Sequence, residues 1–441
     1  MSNFITVTKK IKSFKKTIEV SGDKSLSIRW VLLSSLANGV SVAKNLLMSE
    51  DVVAALKAVK KLGIKVFYKK NVCKIYGNGI NGYKYKKNIT INAQNSGTLG
   101  RLILGLLINS PFKIKLIGDK SLSKRDFKRI SDPLSKFGAK FDLYKKKHLP
   151  LTIIGSKNLY PIKYNEKNAS AQCKSAVIFG GMRVKGITTI KAKKSRNHTE
   201  LLFKNLKLPI KIKKNKKFDL ISIQQVKKIQ NLRYNIPSDI SSSAFFIILT
   251  ILSENSNILI KNVNINPSRV GVITILKKMG ANINFQNIRF YKGEKNADIQ
   301  IKSSKLLKSI NCPTSLNSSA IDEFLLIFLV AAKANGVSSF KKLEELNKKE
   351  SPRLLWGKKI LTSMGVKTIS TKDSIKIYGN PNLNISKKII IKNFLKDHRV
   401  FMTSVIAALS FGGHWTIHDK DSIKSSFPNF FKILNQLKKN D

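Results

Sequence analysis

Cysteine is nearly absent: Cys73, Cys173 and Cys312 are the three in 441 residues. A trio so widely spaced builds neither a disulfide framework nor a zinc site. Cys73 and Cys173 lie in apolar runs and read as small buried hydrophobes. Histidine is almost as scarce, with five. His414 and His418 mimic a metal-ligand pair, but the Trp-Thr-Ile between them reads as a strand, which sets their Cα atoms roughly 13 Å apart. No metal site is expected. Long apolar runs are missing too. Phe324–Ala332 and Ala244–Leu249 fall far short of a bilayer span and read as buried core helices. Lys9, Lys10, Lys12, Lys15 and Lys16 break up the N-terminus, so no secretory signal is expected. A cytoplasmic protein without a membrane partner is the expectation.

Acidic residues are the next shortage: 25 Asp and Glu against 82 Lys and Arg leave a net charge of +57. Such an excess invites a nucleic-acid partner. The lysines, however, run through nearly every segment instead of forming one stripe, and they accompany abundant Ile and Asn with little Arg. That pattern reads as compositional drift, and no nucleic-acid partner is expected. The charge still steers anionic substrates inward, an effect that salt weakens. No serine-nucleophile motif, Walker loop or dinucleotide fingerprint occurs, which argues against a covalent hydrolase and a nucleotide cofactor.

What is present is a repeated phrase. Gly-Asp-Lys-Ser-Leu-Ser-x-Arg stands at 22–29 and again at 118–125. Each copy sets cations, hydroxyls and a glycine ahead of a helix-like run, where backbone N–H groups favour anions. Lys and Arg there suit phosphate or carboxylate. Two copies suggest a substrate, or a pair, with several negative charges.

The phrase belongs to a longer rhythm. Polar helix starts recur near Lys24, Gly97, Ala171, Ser241, Asp322 and His398, each followed by an apolar run. Short strands follow, as in Ile187–Ile190 and Val337–Phe340. Second helices then end in Lys-Lys-Leu-Gly63, Ser-Lys-Phe-Gly138, Lys-Lys-Met-Gly280 and Thr-Ser-Met-Gly365. A glycine in that place is a helix C-terminal cap with positive φ. Six such units, three per domain, predict two similar α/β domains with pseudo-symmetry. With 42% hydrophobic residues the chain can fill two cores.

The unit starts carry the candidate chemistry. Asn95-Ser-Gly-Thr98 precedes Arg101, and Ser170-Ala-Gln-Cys-Lys174 offers a hydroxyl, an amide and a cation. Ser195-Arg-Asn-His-Thr-Glu200 reads as an N-cap followed by a first-turn acid. Asp239 reads as a cap or a direct participant. Asp322 and Glu350 are carboxylates able to work as general base and acid.

Phrase by phrase the chain resembles the 5-enolpyruvylshikimate-3-phosphate synthases. The matching phrases include Gly-Asp-Lys-Ser-x-Ser-x-Arg at 22–29, Asn-Ser-Gly-Thr-x-x-Arg at 95–101 and Ser-Ala-Gln-x-Lys-Ser at 170–175. Asp-Ile-Ser-Ser at 239–242, Asn-Pro-x-Arg-x-Gly at 266–271, Ile-Asp-Glu at 321–323, Lys-Glu-Ser-x-Arg at 349–353 and Asp-His-Arg at 397–399 continue the series. The resemblance implies an inside-out α/β barrel fold. Its two domains, each of three βαβαββ units with pseudo-threefold symmetry, are 22–236 and 1–21 plus 237–441, with the active site in the cleft between them.

The resemblance also implies a reaction: the 5-hydroxyl of shikimate 3-phosphate adds to the enol carbon of phosphoenolpyruvate, and the resulting ketal loses phosphate. It assigns catalysis to Asp322, Glu350 and Lys24. Shikimate 3-phosphate falls to Lys24, Ser25, Arg29, Ser170, Ala171, Gln172, Ser195, Asp322 and Lys349. Phosphoenolpyruvate falls to Lys24, Gly97, Arg125, Gln172, Arg353 and Arg399. No metal or organic cofactor is implied, the chain is expected to be a monomer, and glyphosate is expected to compete with phosphoenolpyruvate. Asp126, Asn197, Ser238, Asn347 and Pro352 depart from the family's phrases, and Pro352 is expected to bend the segment bearing Lys349, Glu350 and Arg353. Two rivals remain. UDP-N-acetylglucosamine enolpyruvyl transferase shares the fold but commonly carries a cysteine where Pro111–Gly118 has none. A basic nucleic-acid-binding protein on a decayed enzyme fold would bind DNA in a salt-sensitive way without turnover.

Overall fold

Six helices form at the six polar starts: α1 (Lys24–Ser34), α2 (Gly97–Leu106), α3 (Ala171–Gly181), α4 (Ile240–Leu252), α5 (Phe324–Lys333) and α6 (His398–Phe411). Each is apolar around most of its circumference, so each is driven into a core. Every residue of α4 and α6 is buried. The computed structural model describes residues 3–438. They divide into two compact units, Gly22–Ile236 with Tyr291–Glu294, and 3–21 with Pro237–Phe290 and 295–438. Each unit has its own hydrophobic core.

In the first unit α1, α2 and α3 are each followed by a strand, a second helix and a hairpin. The second repeat shows the pattern: Ile89–Asn92 lies parallel to Ile114–Ile117, which pairs antiparallel with His148–Ile154, and that strand with Lys140–Tyr144. Burial alternates along these strands, so each sheet turns one face to the helices and the other to solvent. Helices α2 and α3 pack closely, because a Cβ on Gly105 would stand 2.2 Å from the carbonyl oxygen of Ala176. The leading strand of the first repeat comes from far away: Arg233–Asn235 pairs parallel with Asn38–Lys44. The turn Tyr291–Glu294 also groups with this unit, unlike the boundary expected from sequence. The Tyr291 hydroxyl accepts from the Asn235 amide at 2.8 Å, and His198 Nδ1 lies 2.7 Å from Glu294 Oε1.

The second unit repeats the plan with local losses. Lys15–Glu19 supplies the strand parallel to Asn257–Asn264. The repeat built on α5 has a three-stranded sheet, its leading strand reduced to isolated bridges such as Asn311 with Ser339. The last repeat ends in the helix Phe430–Lys438, and Phe4–Val7 completes its sheet against Gly412–His418. That strand carries His414 and His418, and no group of three or more metal-ligating side chains occurs among the described residues. No helix among them is long and apolar enough to cross a membrane. The second helices end as read: Gly63, Gly138, Gly280 and Gly365 all have φ between 85° and 111°.

Candidate active site

Short side chains fix five of the six helix starts. Asp23, Ser96, Ser170, Asp239 and Asp397 each accept a hydrogen bond from a backbone N–H in the first turn of α1, α2, α3, α4 and α6. Caps of this kind are worth about 1 kcal/mol each. They set the helix ends on which the candidate residues sit. Asp239 is therefore a cap, and it also receives Arg269 Nη2 at 3.2 Å.

In the first unit Lys24 opens α1, with Nζ 3.0 Å from Oδ2 of the buried Asp51. Arg29 is buried. Its Nε donates to Thr199 Oγ1 at 2.7 Å, Nη2 to Ser175 Oγ at 3.1 Å and Nη1 to the Ser25 carbonyl at 3.0 Å. It thereby ties α1 to α3 and to the helix His198–Asn205. Gly97 stands at the first position of α2, under two guanidinium groups. A Cβ there would lie 2.8 Å from Arg101 Nη1 and 2.9 Å from Arg125 Nη1. Arg125 Nη2 donates to Asn95 Oδ1 at 2.8 Å, and Asn95 Nδ2 to Asp119 Oδ2 at 2.6 Å. Arg101 Nη1 donates to Gln172 Oε1 at 2.6 Å, and Gln172 Nε2 to Thr98 Oγ1 at 2.9 Å. Gly97, Arg125 and Gln172 thus gather at the starts of α2 and α3.

Ser170 and Ala171 begin α3. The Ser170 amide donates to Glu166 Oε2 at 2.9 Å, and burial pushes the Glu166 carboxyl up despite that bond. Ser195 is not a cap as expected: the N-cap position falls on Asn197, whose side chain makes no capping bond. The Ser195 hydroxyl is buried with no hydrogen-bond partner among the described residues, the condition of a group that a ligand satisfies. Glu200, the first-turn acid, lies 2.6 Å from Lys174 Nζ in a buried pair.

The second unit gathers its groups around Arg353, which is 2% exposed. Nη1 lies 3.1 Å from Asp322 Oδ1, and Nη2 donates to Glu350 Oε2. Nε lies 2.9 Å from Asp397 Oδ2, and Lys349 Nζ 3.1 Å from Asp322 Oδ1. Asp322, Lys349, Glu350 and Arg353 therefore form one contact cluster. Burial alone would lower the Arg353 pKa, but Asp397, Glu350 and Asp322 push it up, so the guanidinium stays charged. Burial alone would raise Asp397. The Arg353 charge outweighs it and holds the carboxyl below the ordinary aspartate value. Arg399 lies near α5. Its backbone N–H is capped by Asp397, its guanidinium lies over the Phe245 ring, and the buried Nη1 has no hydrogen-bond partner among the described residues.

Sequence reasoning did not assign Asp51, Asn95, Arg101 or Asp397, although each is a direct partner of an assigned residue, nor Asp119, which accepts from Asn95. Asn95, Arg101 and Asp397 stood inside quoted phrases; Asp51, in the first turn of the helix Glu50–Lys61, gave no comparable signal. The departures from the family's phrases have local explanations. Pro352 occupies the N-cap position before the helix Arg353–Ser363, where no intrahelical N–H is needed, so it does not break that helix. Asn347 Oδ1 accepts from the Leu354 amide at 3.2 Å and supplies the cap that proline lacks. Asp126 accepts from the Arg129 amide at 3.3 Å, and Ser238 donates to the Val20 carbonyl at 2.8 Å.

The sequence model described as EPSP synthase (3-phosphoshikimate 1-carboxyvinyltransferase) matches residues 8–434. The chain belongs to the EPSP synthase family. A 3-phosphoshikimate 1-carboxyvinyltransferase of Ruthia magnifica subsp. Calyptogena magnifica is 41% identical over 438 residues, spanning 99% of this chain and 98% of that relative. Another, from Bacillus cytotoxicus, is 36% identical over 428 residues, spanning 97% of this chain and 98% of its own. The solved EPSP synthase of Acinetobacter baumannii superposes with a TM-score of 0.86 at 34% identity, over 98% of this chain and 97% of that one. These matches bear out the expected EPSP synthase fold of two similar α/β domains built from repeated units.

Proposed function

We infer that this chain transfers the enolpyruvyl group of phosphoenolpyruvate to the 5-hydroxyl of shikimate 3-phosphate and releases phosphate, a step of the shikimate pathway toward aromatic amino acids. Membership of the EPSP synthase family carries the reaction. The observation that supports the residue roles is the Arg353 cluster, which sets two carboxylates and two cations in contact.

The chemistry needs a base for the hydroxyl proton, an acid for the methylene carbon, and cations for the leaving phosphate. Asp322, held by Lys349 and Arg353, is the proposed base. As the proton leaves, the hydroxyl oxygen bonds to the enol carbon, and the double-bond pair takes a proton at the methylene carbon. Glu350 and Lys24 are the proposed groups for that proton and for its later removal, when the double bond re-forms and phosphate departs. Arg125, Arg353 and Arg399 would stabilise the departing phosphate, with Gly97, Lys24 and Gln172 completing the phosphoenolpyruvate set. Ser25, Arg29, Ser170, Ala171, Gln172, Ser195 and Lys349, with Lys24 and Asp322, would hold shikimate 3-phosphate. The orphaned Ser195 hydroxyl supports this assignment. The reading includes a cytoplasmic monomer that takes no nucleic acid and no cofactor.

Asp322→Asn tests the assignment of the base. Turnover should fall by about 10²-fold or more while shikimate 3-phosphate binding, read by calorimetry, survives. Near wild-type turnover would remove Asp322 from that role.

A further inference from the structure

Helix α5 is the exception among the six helix starts. Glu323 occupies its N-cap position, yet the side chain makes no capping bond. The carboxylate is fully buried and turns instead toward two other helix starts. Ser241, in the first turn of α4, donates its hydroxyl to Glu323 Oε1, and the same hydroxyl receives Arg269 Nη2 at 2.7 Å. Arg399, in the first turn of α6, places Nη1 3.6 Å from Glu323 Oε1. That separation is beyond a hydrogen bond but within strong Coulombic reach in a buried setting.

A buried carboxylate needs a compensating charge, and Arg399 provides it. The reverse also holds. The Arg399 guanidinium is fixed by the Glu323 charge and by the Phe245 ring at 5.9 Å, and Nη1, the buried nitrogen that faces Glu323, makes no hydrogen bond among the described residues. An arginine oriented by charge and stacking has its ordering cost met before an anionic ligand arrives.

We propose that Glu323 is a positioning residue that aims Arg399 at phosphoenolpyruvate, with Ser241 holding the carboxylate in place. The proposal rests on the assignment of Arg399 to phosphoenolpyruvate. Glu323→Gln keeps the volume and the acceptor for Ser241 but removes the charge. It should raise the KM for phosphoenolpyruvate about tenfold, the scale of coupling between contacting groups, and leave the KM for shikimate 3-phosphate unchanged. In an Arg399→Ala background the same substitution should have no further effect on that KM. Ser241→Ala, which leaves both charges in place, should shift it in the same direction by a smaller factor.

The outcomes separate cleanly. An unchanged KM for phosphoenolpyruvate in Glu323→Gln, or a rise of equal size in the Arg399→Ala background, overturns the positioning role. Equal rises in both KM values overturn it as well, because they report a general loss of structure. If Arg399→Ala itself leaves the KM for phosphoenolpyruvate unchanged, the assignment of Arg399 fails, and the proposal falls with it.

Discussion

Arg353 grips Asp397 at two points, Nε to Oδ2 at 2.9 Å and Nη2 to Oδ1 at 3.2 Å, with the carboxylate fully buried. The same carboxylate accepts the Ser351 hydroxyl at 2.8 Å and caps α6 through the Arg399 amide. One aspartate therefore anchors both the arginine that gathers Asp322 and Glu350 and the helix that carries Arg399.

The pH dependence of this anchor has a definite sign. The Asp397 carboxyl titrates below its ordinary value in the folded chain, so the unfolded chain takes up the proton first as pH falls. Its stabilisation is complete above the usual aspartate pKa of about 3.9 and is lost as pH drops through the folded value. Asp397→Asn keeps a good N-cap but gives up the charge. The variant should be less stable than the wild type at neutral pH, and the gap should narrow below about pH 4. Urea midpoints across pH check this. A gap that stays constant into acid would show that the charge is not what holds.

Gly97→Ala should weaken both phosphoenolpyruvate and glyphosate. The added methyl meets the ends of Arg101 and Arg125 at 2.8 and 2.9 Å, and flexible side-chain ends yield where backbone would not. The fold should survive while Arg125 shifts from its place. Steady-state inhibition by glyphosate, with phosphoenolpyruvate varied, checks the claim. Absence of inhibition at millimolar concentration, or inhibition that the alanine leaves untouched, would contradict it.

Much of this arrangement was legible because it is local. Helix starts and glycine ends are written within a few residues, and helices apolar on all sides can only be cores. Other features leave no local mark. The helix His198–Asn205 ends without glycine, and Lys207 takes the left-handed conformation at φ 53°. The second copy of the repeated phrase does not open a repeat. It forms the short helix Lys120–Ser123 inside the second one, where Asp119 caps through the Leu122 amide as Asp23 does through Leu26. The likeness of the two copies records a shared capping geometry. Pairings such as Arg353 with Asp397, Glu323 with Arg399 and Arg233–Asn235 with Asn38–Lys44 depend on the finished fold.

The cysteines should be silent in the native protein. All three are free and buried, and burial pushes Cys73 up to about 12, Cys312 to about 11 and Cys173 upward as well. Thiolate is the reactive form, so a disulfide-exchange reagent at pH 8 should find no fast thiol until denaturant exposes all three. Cys173 follows Gln172 directly, which makes this a test of the site. A fast-reacting thiol whose modification abolishes turnover would contradict the picture.

The most direct test follows phosphate release with shikimate 3-phosphate and phosphoenolpyruvate, each omitted in turn, alongside proton NMR of the product. Phosphate should appear only when both are present, in equal amount to a new enolpyruvyl ether. Phosphate released from phosphoenolpyruvate alone, or no turnover with both present in a folded protein, would contradict the account.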